Sequence, residues 1–304
     1  MFGFRKILPL CVLFAGISAF GGAVSFTEAD ARLAYQTAEG LVKECTPRHA
    51  GTIRGRLAAD WILDHVSRTG VDAMVDVFSA PVYSDIAKFA NVVVELPGTN
   101  PKAPWIVVMS HYDTAPNVGP AFQGANDGAS TTGLLVALAG AMRRSGKTKD
   151  NVIFVWTDAE ECRIAYMDRD GFQGSRHLVD FMRKRNRTVK AAICLDMLGD
   201  RDLNIVIPAN STPALTSLVL KAAKTAGVAD KVRVRSSITV KDDHSAFLDA
   251  GCPAIDLIDF EYGSAPGKND YWHTTKDTMD KISEASLLAS GKLVSELLNL
   301  IVRR

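Results

Sequence analysis

At 304 residues, 47% apolar and 23% charged, the chain has the size and make-up of a globular domain, which excludes disordered and fibrous classes. A formal net charge of +1 supplies no field to recruit nucleic acid or an anionic membrane, so neither is expected as a partner. Six histidines and 34 acidic residues become informative only where they converge.

The chain opens with a short basic stretch, MFGFRK, then the apolar run ILPLCVLFAGISAF and the small residues Gly21, Gly22 and Ala23. This is the pattern of a secretory signal peptide over residues 1–23. The alternative, a retained anchor, is disfavoured because the apolar run is short against the ~20 residues that span a bilayer. An exported protein, periplasmic or secreted, is therefore expected, with residues 24–304 as one catalytic domain. The four cysteines left after cleavage, Cys45, Cys162, Cys194 and Cys252, are too sparse for a disulfide framework and match no zinc-ribbon spacing. Cys194 and Cys252 lie in apolar runs and read as small buried residues.

Residues 27–45 and 52–69 read as amphipathic helices, the second with Ile53, Leu57, Trp61 and Leu63 along its apolar stripe and Gly70 as its stop. Asp72–Ser79 and Phe89–Leu96 read as strands, and Pro97-Gly98 turns the chain into a third, Trp105–Met109. Residues 128–144 form an apolar helix whose closing Arg143-Arg144 suits a helix C-terminus. Strands over Asn151–Thr157, Val189–Leu195 and Pro253–Ile258 alternate with helices over 174–185 and 212–226, and a helix over 283–302 closes the chain. This alternation predicts an α/β, three-layer fold: a mixed, largely parallel central sheet with helices on both faces.

Chemistry-bearing residues fall where these strands end, which is where open α/β sheets place their sites. The Trp105 strand runs into Ser110-His111-Tyr112-Asp113, and Asp127 stands at the mouth of the following helix. Imidazole and carboxylate are ligands that zinc takes. The strand Asn151–Thr157 emerges into Asp158, Glu160 and Glu161, adjacent carboxylates that can divide metal binding from proton transfer. Asp196 interrupts a buried strand end, and Asp256 a strand middle; an ionised carboxylate buried there needs a metal, a cation or a shared proton. Asp242-Asp243-His244 and Trp272-His273 complete the set. His273, behind a large aromatic ring, reads as a ligand beneath a substrate-contacting side chain. His244 reads as orienting the Asp242-Asp243 turn, His177 as helping to start a helix, and His49 and His65 as lacking partners.

In this order, HYD, the Asp of ANDGAS, AEE with GSRHL, LDMLG, DDHSAFLDAGCP and WHT resemble the M28 zinc-peptidase superfamily, over about residues 89–290. The resemblance implies an eight-stranded mixed sheet between helices. Two enzyme types share these motifs. In the aminopeptidases two zinc ions are held, and the ligands would be His111, Asp127 as bridge, Glu161, Asp196 and His273. In the glutaminyl cyclases a single zinc is held, implying Asp127, Glu161 and His273 as ligands, Glu160 for proton transfer, and Asp196 with Asp242 in the catalytic carboxylate network. Trp272, the doubled Asp242-Asp243 and the length of the Cys162–Gln173 segment resemble the cyclases, and AIDLIDFE with Asp256 is similar to the bacterial cyclases especially. Tyr166 stands where many animal cyclases have Trp. The resemblance thus implies a zinc-dependent glutaminyl-peptide cyclotransferase that turns N-terminal glutamine of peptides or proteins into pyroglutamate, with Trp272, Tyr166 and Asp256 binding substrate. The alternative is an M28 aminopeptidase. A monomer is expected.

Overall fold

The computed structural model describes residues 22–167 and 169–303. Apart from Gly22 and Ala23, the expected signal peptide lies outside the described residues. No helix among the described residues is long and apolar enough to cross a membrane.

Two helices come first, α1 (Glu28–Cys45) and α2 (Ile53–Ser67), followed by the hairpin β1 (Ala73–Val82) and β2 (Asp85–Leu96). Next are β3 (Trp105–His111), α3 (Thr131–Arg144), β4 (Asn151–Thr157), α4 (Gln173–Lys184) and β5 (Val189–Asp196). The chain ends with β6 (Ile205–Pro208), α5 (Pro213–Ala226), β7 (Val232–Arg235), α6 (His244–Asp249), β8 (Ala254–Ile258) and α7 (Glu284–Ile301). All eight strands join one sheet in the order β1-β2-β4-β3-β5-β8-β6-β7. The centre, β4-β3-β5-β8, is parallel, as is β6-β7. The pairs β1-β2, β2-β4 and β8-β6 are antiparallel. The expected mixed, largely parallel sheet is present.

Side chains of a strand alternate between the two faces of the sheet, and both faces here are covered, so the central strands are apolar throughout. Ile106 and Val108 of β3 join the larger core, built with α1, α2, α3, α5 and α7. Trp105, Val107 and Met109 join a second core with Leu178, Phe181 and Met182 of α4 and Phe247 of α6. Thr27 caps α1 reciprocally with Asp30, a capping box, and Asp30 also accepts from Arg144 at the end of α3 (2.6 Å). The helix faces of the large core are thereby held in register at their ends.

Two expectations are corrected. The stripe of α2 is split: Ile53 and Leu57 are 83% and 58% exposed, Trp61 and Leu63 pack half-buried against the large core, and the buried face is Gly55, Ala58, Ala59, Ile62 and Val66. Small side chains seat α2 closely, and the first two members of the stripe are left to solvent. In addition β6, β7 and α6 were not anticipated, because four to six residues are too few for a periodicity to declare itself.

Helix α1 crosses α3 at Gly133, where an added Cβ would lie 2.1 Å from the carbonyl oxygen of Ala34. Alanine favours helices intrinsically, yet here the two backbones would have to part. Gly133→Ala should therefore lower stability by about 1–3 kcal/mol. A urea-unfolding midpoint equal to or above that of the parent chain would remove this close approach as a determinant.

Candidate active site

The parallel strands deliver the site. β3 ends in His111 and continues to Asp113; β4 leads into Asp158, Glu160 and Glu161; β5 ends in Asp196; the loop after β8 carries Trp272 and His273. All lie at the C-terminal edge of the sheet, the position expected for an open α/β fold. Four non-glycine residues at or beside these ends have left-handed φ: Ala159 (58°), Phe172 (56°), Met197 (55°) and His273 (52°). Such conformations cost about 1–3 kcal/mol each and persist where the surroundings fix them.

Asp127 occupies an irregular turn, Ala125–Ser130, that opens α3. Its Oδ2 is buried without a hydrogen-bond partner and lies 3.4 Å from Nε2 of His273, which is 3.0 Å from Oε1 of Glu161. Burial disfavours a charged ring at His273, but Glu161 and Asp127 prevail and hold its pKa at about 9. Two carboxylates and an imidazole thus converge on one point and draw positive charge to it. Zinc bonds of 2.0–2.1 Å at tetrahedral angles separate donors by about 3.3 Å, so this trio fits the ion. A second trio shares Asp127: Nε2 of His111 is 3.2 Å from Oδ1 of both Asp127 and Asp196. Burial opposes protonation of His111, yet the carboxylates of Asp113, Asp127 and Asp196 around its ring raise its pKa well above the ordinary value.

These donors are held from behind. Arg48 is wholly buried, and its guanidinium donates to the carbonyls of Tyr112, Gln123 (2.7 Å) and Gly124 (2.7 Å). Burial lowers its pKa to about 10, with Asp277, Asp127 and Asp113 opposing the fall, so it stays a cation beneath the acidic turn. Asp277 accepts the N–H groups of Asn126 (2.8 Å) and Asp127 (3.1 Å) and the hydroxyl of Tyr262 (2.6 Å). Asp113 accepts the N–H groups of Glu160 and Glu161, both at 3.2 Å, fixing the carboxylate pair. Gly128 is required at its place: φ is +92°, and a Cβ would sit 2.9 Å from the carbonyl oxygen of Asp113.

A cavity of about 440 Å³ opens over the donors, lined by Asp127, Glu160, Glu161, Asp196 and Asp242 below and by Tyr166, Ile238, Phe260 and Trp272 above. Trp272 stacks on the ring of His273 (centroids 4.0 Å apart) and meets Phe260 edge-on (5.8 Å). Tyr166 donates its hydroxyl to Oε2 of Glu161 (2.9 Å) and stacks on Phe172. Burial, then the charge of Glu161, pushes the pKa of Glu160 well up, which suits a group that exchanges a proton. Asp242 is raised to about 7 by burial and by Asp196. The doubled acid divides its work: Asp242 faces the cavity, while Asp243 accepts from the hydroxyl of Thr157 inside the fold.

The structure thus brings Asp127, Glu160, Glu161, Asp196, Asp242, His273, Tyr166 and Trp272 to one cavity. His111 lies beneath it against Asp127 and Asp196. Asp256 does not line the cavity; it is buried behind Asp242, grouped with that residue and Cys194. His244 is buried, and its Nε2 accepts from the amide of Asn210 (2.9 Å). The remaining histidines do have partners: His49 meets the carbonyl of Thr114 (3.0 Å), His65 stacks on Trp61 and His177 on Phe78. The four cysteines of the described residues are free thiols. Sequence reasoning missed Arg48, Asp113 as a brace, Asp277 and Tyr262. The one available signal was the pair of acids placed close to candidate donors, Asp113 in HYD and Asp277 after WHT.

A family model described as peptidase family M28 matches residues 91–298. A glutaminyl-peptide cyclotransferase of Drosophila melanogaster is 26% identical over 82% of this chain and 75% of its own length. A leucine aminopeptidase 1 of Emericella nidulans is 25% identical over 81% of this chain and only 64% of its own. Among solved structures, an Acidobacteriales bacterium glutaminyl cyclase is 32% identical with a TM-score of 0.81, covering 95% of this chain and 99% of that one. A Zn-dependent exopeptidase of Parabacteroides distasonis shares the fold at a TM-score of 0.76 and 21% identity, covering 92% and 99%.

Removing the buried cation at Arg48 leaves Asp127 and its turn without their anchor. Arg48→Met should cost about 3–5 kcal/mol of stability. A urea-unfolding stability matching the parent would show that Arg48 is dispensable. Asp259, at the end of β8, tests burial independently of the metal donors. Burial raises its pKa to about 7 despite N–H donors from Asn204 and Glu261. Below about pH 4 it is protonated in folded and unfolded chains alike; between there and pH 7 only the unfolded chain ionises it. The folded state loses stability across that window, so the stability of Asp259→Asn relative to the parent should climb from pH 4 to 7 and then level. A difference independent of pH in urea titrations would refute the raised pKa.

Proposed function

Because the chain belongs to peptidase family M28, we propose that it is a zinc-dependent glutaminyl-peptide cyclotransferase, converting N-terminal glutamine of peptides into pyroglutamate with release of ammonia. The observation that carries this reading is Trp272, stacked on the ring of His273 and edge-on to Phe260 at the cavity wall. An indole there narrows the cavity to an apolar slot that suits a carboxamide side chain above an acidic floor. We also infer that residues 24–304 act as one catalytic unit and that residues 1–23 direct export.

Asp127, Glu161 and His273 would hold one zinc ion. Bound there, zinc supplies Lewis-acid polarisation of a carbonyl oxygen. The protein's own residues do the rest. The substrate's α-amine, with an ordinary pKa of about 8, reacts only as the neutral amine. Asp196, lining the same cavity, accepts a hydrogen bond from that amine and aims it at the side-chain carbonyl carbon. As the ring N–C bond forms, Glu160 takes the amine's proton; as the C–NH2 bond breaks, Glu160 returns a proton to the departing nitrogen, which leaves as ammonia. Nucleophile and electrophile belong to one residue, so positioning contributes more than nucleophilic strength. Asp242, neutralised in part by its raised pKa, limits the negative charge facing Glu160.

A second reading, an M28 aminopeptidase, is favoured by the second donor trio of His111, Asp127 and Asp196. Mass spectrometry separates the two. With zinc-loaded enzyme, a peptide beginning with Gln should lose the mass of ammonia while one beginning with Leu stays intact; shortening of the Leu peptide would overturn the cyclase reading. Glu160→Gln should keep its zinc and lose about 10²–10⁴-fold in kcat. Loss of metal together with activity would exchange the roles of Glu160 and Glu161.

A further inference from the structure

The cavity's floor is acidic, yet one lysine, Lys241, is among its lining residues. It directly precedes Asp242, so its Cα lies about 3.8 Å from that of a residue on the floor. Its backbone is fixed on both sides: Asn210 pairs with the N–H (3.1 Å) and the carbonyl (2.7 Å) of Val240, and the N–H of Asp242 donates to Ser245. The side chain is exposed, and among the described residues no ion pair or hydrogen bond engages its ammonium. By contrast, Arg235 is paired with Glu261 and Lys281 with Asp280.

An acidic floor draws the substrate's amine inward and repels any carboxylate that follows it. Lys241, exposed together with Ile238 on the solvent side of the lining, opposes that preference there. Resting on the cyclase reading above, we propose that Lys241 is a specificity residue, selecting N-terminal glutamine peptides that carry a carboxylate on the next residue. That carboxylate has two sources, an acidic side chain at the second position or the free C-terminus of a dipeptide.

Steady-state kinetics of zinc-loaded enzyme on Gln-Glu-amide, its neutral isostere Gln-Gln-amide, Gln-Lys-amide and Gln-Gln with a free C-terminus test this. KM for Gln-Glu-amide should be about two- to fivefold below that of Gln-Gln-amide at low salt, the size of an exposed ion pair, with kcat nearly unchanged. A similar advantage for the free-acid dipeptide would identify the C-terminal carboxylate as a second source. The ratio should fall to about one in both Lys241→Ala and Lys241→Gln, and reverse toward Gln-Lys-amide in Lys241→Glu. It should also shrink in the parent enzyme as salt is raised. A parent ratio of one, a ratio indifferent to salt, or a ratio that survives in both neutral variants would overturn the proposal while leaving the cyclase reading intact. Failure to cyclise any of the four peptides would overturn the cyclase reading and the proposal with it.

Discussion

Negative charge gathered out of water sets the terms for this molecule. Asp127, Glu160, Glu161, Asp196 and Asp242 share one small cavity and are all buried. An ionised carboxylate in such a place costs several kcal/mol unless a counter-charge or a proton accompanies it. The fold answers in three ways. Arg48 places a permanent cation beneath the Asp127 turn. His111 and His273 lie within hydrogen-bond distance of the acids and are drawn toward their charged forms. Glu160 and Asp242, which lack such a partner, shift toward their neutral forms. A divalent ion held as proposed by Asp127, Glu161 and His273 would add a larger counter-charge still.

Much of this arrangement was legible because it follows from strands. An apolar run that stops at a polar residue marks both a buried strand and the place where its chain emerges, so His111, Glu160, Glu161 and Asp196 declared themselves together with β3, β4 and β5. What was illegible depended on distance along the chain or on choice of face. Arg48 is separated from Asp127 by α2 and all of the first three strands, and its partners are carbonyl groups, which leave no trace in side-chain pattern. Helix α2 carries apolar residues on two sides, and only packing against the sheet decides that Ala58, Ala59 and Ile62 go inside while Ile53 and Leu57 do not. Asp256 illustrates a further limit. Its strand position announced a buried acid, but whether it meets substrate or stands behind Asp242 is a matter of depth, which a linear pattern does not encode.

Rigidity at the site is achieved with backbone as much as with side chains. Ala159 precedes the Glu160-Glu161 pair in a left-handed conformation, Met197 follows Asp196 in another, and His273 itself adopts a third. Each is disfavoured alone and is held by its surroundings: Asp113 on the two N–H groups after Ala159 is the clearest case. A donor set fixed in this way loses little further freedom when it takes up an ion or a substrate, so more of the interaction energy remains for binding and orientation.

Asp127 is braced by residues drawn from opposite parts of the chain, Arg48 upstream and Asp277 downstream, and its donor trio is closed by His273. A ribosome releases the upstream part first. While the chain is being made, Arg48, Asp127 and Glu161 exist before their closing imidazole and their second brace have been synthesised. The trio is completed only when the chain has been made as far as His273. Metal capture by this trio, as proposed above, would then be a late event of biogenesis, following synthesis of the last strand, β8. A chain that stops short of His273 and Asp277 would leave Asp127 without the imidazole of its trio and without its second brace.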